Sequence, residues 1–372
     1  MKVLLLSDAH SIHTQRWVTS LSQRGCEILL FNLLKCDLSA YNGMSNVQVF
    51  SCDFVLRDNA AISQRILDKM VYIKAVRLLR QQLRLFRPDF LHAHYACSFG
   101  LLGALSGFHP FVLSVWGSDV YNYPRQGGLY RRLLTFSLRK ADHILSTSHC
   151  MARETNRYTP KPIAVTPFGV NTELFKPLGG AAFLPHNNSP FIVGNVKTLK
   201  YCYGIDTLIN AFAILHQRHP DTDMRLLIAG TGPDKEELEN LCLSLNIRPL
   251  VDFLGYIPNN ELPELYAQFD VSVSLSREES FGVVAVEAMS CGCPVVTSDA
   301  EGFCEVVDDK VTGFIVPKEN AEAAADAIER FIDNPSLRDT MGAAARKRVL
   351  DLYDWERNVD TMMDIYKRVI DS

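Results

Sequence analysis

The feature that most restricts this chain is an alternation of short apolar runs with stretches of helical spacing, which runs through it twice. VLLLS (3–7), CEILLFNL (26–33), PDFLHAHY (88–95), HPFVLSVW (109–116) and ADHILSTS (141–148) read as strands, with helical segments such as WVTSLSQRG (17–25) between them. That order implies a parallel sheet with helices on both faces. A second series follows: FIVGNV (191–196), MRLLIAG (224–230), VDFLGYI (251–257), FDVSVSLS (269–276) and CPVVTS (293–298), with DTLINAFAILHQRH and KEELENLCLSLN between strands. The text from 172 to 190 is dense in Pro, Gly and Asn and reads as a linker. At 372 residues there is chain enough for two cores. The expectation is therefore α/β, with one Rossmann-like domain over 1–171, a linker over 172–190 and a second Rossmann-like domain over 191–355. The closing amphipathic segment, about 356–372, has no further strand to serve and is expected to pack back on the first domain.

Composition excludes several alternatives. Hydrophobic residues at 47% and charged ones at 22% describe a globular protein, and no apolar run approaches the roughly 20 residues that span a bilayer. The opening MKVLLLSDAH turns polar too soon for a signal peptide. Ten scattered cysteines, without a CxxC pair or zinc-like spacing, fit a reducing cytoplasm better than a disulfide framework. The first 178 residues hold 21 Lys+Arg against 11 Asp+Glu, and the rest 17 against 31. Such segregation suits a first half that meets an anionic lipid surface or phosphate-bearing acceptor, or else solvated faces of different helices. Within 69–88, Lys69, Lys74, Arg77, Arg80, Arg84 and Arg87 interleave with Met70, Ile73, Val76, Leu79, Leu83 and Phe86. This is either a basic amphipathic helix lying on anionic membrane or a surface helix whose apolar stripe is core. Nucleic acid is a poor partner, because exposed aromatics do not interleave with the cations.

Chemistry concentrates in SLSREESFGVVAVEAMSCGCPVV (274–296). A strand ends near Ser276, a polar loop follows, and a helix starts near Phe281 or Gly282. Ligands of doubly wound sheets bind outside the carboxyl ends of strands. The amides of Phe281, Gly282 and Val283 would carry the positive end of that helix, a ready phosphate site, and Gly282 allows close backbone approach. Glu279 sits at the loop's tip with Ser280 beside it. Glu287 lies inside the helix, where it needs donors such as ribose hydroxyls or a neighbouring Arg. In FIVGNVKTLKYCYGIDTLINAF (191–212), Gly194 is read as ending the strand, and Lys197 and Lys200 fall in the loop before the next helix. Two cations there would neutralise a diphosphate leaving group without a metal.

On ESFGVVAVEAMSCGCPVV, with seven residues between Glu279 and Glu287, the chain resembles the group 1, family 4 glycosyltransferases. VTPFGVNTELFKP, LLIAGTGPDKEELENL, VDFLGYIPNNELPELYAQFDV and EGFCEVVDDKVTGFIVP match in order, so the likeness covers nearly the whole chain. It implies the GT-B architecture, two Rossmann-like domains with parallel sheets facing across a cleft, and a retaining, metal-independent hexosyltransferase. The donor, a UDP- or GDP-sugar, would bind the second domain, and a glycan or lipid-linked acceptor mainly the first. By matched position Glu287 would bind the ribose, Lys197 and Lys200 the diphosphate, Glu279 with the Phe281 and Gly282 amides the sugar and distal phosphate, and Gly255 and Tyr256 the nucleobase. The chain departs from the pattern where Asn195 and Tyr203 stand in place of the usual basic pair, where DAHSIHTQRW lacks a Gly-Gly pair, and where Trp116 stands at a frequent histidine position. Trp cannot act as a base, which leaves Asp119 and His94 as candidates for acceptor positioning. No cofactor is expected.

Front-face transfer is the expected mechanism. A double displacement would need a nucleophilic carboxylate, as in retaining hydrolases whose paired carboxyls lie about 5 Å apart. The rivals are a nucleotide-sugar epimerase on the same fold, a non-catalytic sugar-nucleotide binder, and a dehydrogenase resting on the incomplete fingerprint Gly230-Thr231-Gly232.

Overall fold

The computed structural model describes residues 1–54, 64–178 and 190–371; most of the expected linker, and the side chains of Lys69 and Met70, lie outside them. The chain divides into two compact units, Met1–Thr166 with Val359–Ser372, and Pro167–Asn358.

In the first unit the described strands are β1 (Lys2–Leu6), β2 (Glu27–Leu34), β3 (Val47–Phe54), β4 (Phe90–His94), β5 (Phe111–Val115), β6 (His143–Ser146) and β7 (Ile163–Val165). They form one parallel sheet in the order β3-β2-β1-β4-β5-β6-β7. β1, β4 and β5 are buried almost throughout, as strands covered on both faces must be. The second unit holds β8 (Phe191–Val196), β9 (Met224–Ala229), β10 (Val251–Gly255), β11 (Val271–Ser274), β12 (Val295–Ser298) and β13 (Gly313–Val316), parallel in the order β10-β9-β8-β11-β12-β13. Each order reverses direction once, between β1 and β4 and between β8 and β11. Those reversals are where a crevice opens at the carboxyl ends of the strands. Three strands carry no counterpart in the sequence reading, β3, β7 and β13, and all three are sheet edges.

The helix Trp355–Asp371 contributes its residues from Val359 onward to the first unit. There Tyr366 is fully buried, its hydroxyl 2.6 Å from His92 Nδ1, while His92 Nε2 lies 2.8 Å from Ser114 Oγ. Burial alone brings His92 down to about 3, so the ring is neutral. The helix Gln64–Phe86 buries Leu79, Leu83 and Phe86 in the first unit's core, so its apolar stripe faces inward. Arg80 gives its guanidinium to the carbonyls of Leu105 (2.8 Å) and Ser106 (3.1 Å), closing the end of the helix Phe99–Ser106. Lys74, Arg77, Arg84 and Arg87 remain exposed, with Ile73 and Leu85. Among the described residues no helix is long and apolar enough to cross a membrane.

Candidate active site

At the reversal between β8 and β11 two loops meet, 197–204 and 275–282. Lys197 Nζ lies 2.6 Å from Glu279 Oε2, both side chains nearly buried (13% and 11% exposed), and 4.5 Å above the Tyr203 ring. An ion pair this deep needs other groups to hold it, because desolvation offsets much of the Coulomb attraction. The scaffold is visible in the glycines. The amide of Lys197 donates to Ala229 O (2.9 Å) and that of Leu199 to Thr231 O (3.0 Å). A Cβ on Gly230, whose φ is +140°, would stand 1.9 Å from Lys197 O, and one on Gly232 would stand 2.2 Å from Leu199 O. The Gly230-Thr231-Gly232 fingerprint thus lets two loops touch backbone to backbone and sets the height of Lys197.

The facing loop is fixed from the other side. Arg277 makes a fork to Asp206 (2.7 and 2.9 Å), reaches Glu319 (2.9 Å) and accompanies its own amide's bond to Cys202 O (2.8 Å). Gly302 donates to Glu279 O (3.0 Å), and a Cβ there would sit 2.5 Å from Phe281 N. The helix Val283–Ser290 begins at Gly282 in the left-handed region (φ +98°), with Ala285 and Val286 amides returning to Gly282 O. The amides of Phe281, Gly282 and Val283 precede that ladder and leave the helix's positive end beside Glu279. Ser280 turns its amide to Glu279 Oε1 (3.3 Å).

Glu287, 7% exposed, receives the Tyr266 hydroxyl at 3.2 Å and the Asn259 amide at 3.3 Å. Burial, reinforced by Glu287, pushes the Tyr266 phenol well above its usual range, so it remains a donor. Both of these donors come from the chain itself. Gly194 lies within β8, which runs on to Val196; a Cβ there would collide with the Phe269 ring at 2.1 Å, so its smallness serves strand packing. Gly255 ends β10 at φ +73° and accepts from Gly230 N (2.7 Å), with Tyr256 next to it and 73% exposed. Lys200 is exposed and lines a separate depression with Asp206 and Asp234, apart from the Lys197–Glu279 pair. Arg277, Gly302, Tyr266 and Asn259 escaped the sequence reading, as did the contact of the Tyr203 ring with Lys197. Only Arg277, a cation adjoining the carboxylates of REES, offered a local signal.

In the first unit His94 ends β4, with Nδ1 3.1 Å from Ser7 Oγ, and packs against Trp116 at 4.4 Å between centroids. Burial, then His92 and His13, hold it well below its ordinary range. Asp119 is fully buried and accepts the amides of Ala96 (2.7 Å), Gly117 (2.8 Å) and Trp116 (3.1 Å). Burial raises its carboxyl against the pull of those amides. Its oxygens are committed to shaping the turn that carries Trp116. Among the described residues no three His, Cys, Asp or Glu side chains cluster as a metal site.

Two doubly wound parallel units, with the glutamate-bearing helix at the reversal of the second, place the chain in the GT-B fold class. Sucrose-phosphate synthase from Thermosynechococcus elongatus superposes with a TM-score of 0.79 at 22% identity over 99% of each chain. HepE from Anabaena, in complex with UDP and glucose, does so at 0.77 and 19%, over 99% of this chain and 100% of that one. The family model described as glycosyl transferases group 1 matches residues 181–348, and one described as glycosyl transferase 4-like matches 2–148. Both models are of glycosyltransferases, and between them they match residues in each of the two units. D-inositol 3-phosphate glycosyltransferase from Saccharomonospora viridis is 33% identical over 248 residues, 62% of this chain and 56% of that protein. The chain spans about half the length of the curated relatives it matches.

Proposed function

We propose that this chain is a retaining glycosyltransferase that moves a hexose-type sugar from a UDP- or GDP-sugar to a glycan or lipid-linked acceptor in cell-surface polysaccharide or glycolipid synthesis. The observation that carries the reading is the Lys197 ammonium, held by Glu279 and Tyr203 beside the start of the helix Val283–Ser290. A cation and a helix N-terminus in one crevice suit the two negative groups of a diphosphate, and supply the countercharge a metal ion would otherwise bring. Glu287, oriented by the Tyr266 hydroxyl and the Asn259 amide, is the carboxylate assigned to the ribose hydroxyls. The likeness to a fold solved with UDP and glucose supports the nucleotide-sugar donor. In front-face transfer the bond from the anomeric carbon to the diphosphate breaks while the acceptor hydroxyl bonds to that carbon from the same side. The hydroxyl proton passes to the departing diphosphate. The exposed cations of the helix Gln64–Phe86 suit work at the cytoplasmic face of an anionic membrane.

A thermal-shift panel of UDP-, GDP- and ADP-sugars tests the donor, since ligand binding the folded state raises the melting temperature by mass action. One sugar nucleotide should stabilise the wild type and not Glu287→Gln. No shift with any of them sinks the reading. NMR of the product, expected to keep the donor's anomeric configuration, tests retention. Isomerised sugar formed without any acceptor would favour the epimerase instead.

A further inference from the structure

The second unit carries a groove of about 500 Å³ between the start of the helix Ile205–Arg218 and the helix Lys235–Ser244. That volume suits a small polar ligand. One wall is Tyr201, 66% exposed, with Arg277 stacked on the ring at 3.8 Å. The guanidinium is itself pinned by Asp206 and Glu319, so the aromatic plate is rigid before anything binds it. Around it Lys200, Asp234, Glu237 and Asn240 line the groove, and among the described residues none of these four side chains makes a hydrogen bond or ion pair. Donors and acceptors of both kinds are therefore uncommitted beside an exposed ring.

The charges narrow the ligand. Asp234 and Glu237 oppose a phosphate or sulfate, while Lys200 and Arg277 oppose a polyamine. A neutral polyol with an apolar ring face satisfies both the aromatic plate and the mixed polar rim. We propose that this groove binds a sugar ring of a neutral glycan, stacked on Tyr201 and hydrogen-bonded by Asn240, Asp234 and Lys200. The site is separate from the Lys197–Glu279 crevice and would take a free sugar or a unit of a longer chain.

The test uses the full chain with excess UDP present, so that nucleotide-sugar chemistry cannot report on the groove. Methyl α-glucoside, methyl α-mannoside, methyl α-galactoside and maltotriose are titrated with saturation-transfer NMR and calorimetry, beside inorganic phosphate and spermidine. At least one neutral probe should bind; Tyr201→Ala should weaken it about tenfold, and Tyr201→Phe should retain it. Tighter binding of the trisaccharide than of its monosaccharide assigns the groove to a polymer, and equal binding to a free sugar. An unchanged UDP shift in Tyr201→Ala shows that the variant is folded. The proposal is overturned if no neutral probe binds, if phosphate or spermidine displaces the probe, or if Glu287→Gln and not Tyr201→Ala abolishes binding. The UDP shift of the wild type is read independently, so either site can fail without the other.

Discussion

Under the proposed function Lys197 and Glu287 make different predictions, because the first is assigned to the charge of a leaving group and the second to a sugar hydroxyl. Lys197→Ala should lower turnover by about 100-fold or more, the scale of losing one preorganised electrostatic contact, with a smaller effect on nucleotide affinity. Glu287→Gln should instead abolish the UDP thermal shift. Initial rates and melting curves on the two variants separate these outcomes; unchanged turnover in Lys197→Ala would remove that residue from the leaving-group role. The pair Glu279 and Glu287 was legible because both carboxylates stand in one loop–helix segment. Tyr266 and Asn259 were not, since they reach Glu287 from 21 and 28 residues away. Nor was Tyr203, whose part depends on the ring's height under an ammonium.

At the level of elements, every interior strand announced itself, and of the four edges only β10 did. β1, β4 and β5 are mostly apolar and buried almost throughout because both faces are covered. β3 is half-exposed along most of its length, and β7 and β13 are only three and four residues long. The loop contact at Gly230 gives a sharper prediction. Gly230→Ala places a methyl group 1.9 Å from Lys197 O at a φ that disfavours side chains. It should destabilise the fold by roughly 2–4 kcal/mol, measured by urea unfolding, and reduce turnover through displacement of Lys197. A nearly neutral effect on both would mean the two loops are not in contact. Gly255, with nothing near a built Cβ, is the control with strain alone.

For the whole molecule, acid sensitivity is concentrated in the first unit. His13 is lowered to about 4 and His92 to about 3, chiefly by burial, and His94 lies well below its ordinary range. All three are neutral when folded but take up protons near pH 6.5 when unfolded. The stability they contribute is therefore complete above pH 6.5 and declines as pH falls toward 4, where the unfolded chain binds more protons. Calorimetry between pH 7.5 and 4.5 should show the melting temperature falling with acid, less steeply in His92→Gln. A flat profile would contradict the buried, neutral state of these rings.

The helix bearing Tyr366 has a consequence for the order of events on the ribosome. The second unit, Pro167–Asn358, is contiguous, whereas the first draws on sequence from both sides of it. The unit translated first must wait for residues translated after its neighbour before the Tyr366 hydroxyl can reach His92. The domain that emerges later is the one able to mature earlier, and the nascent first sheet spends that interval with one of its covering pieces still unmade.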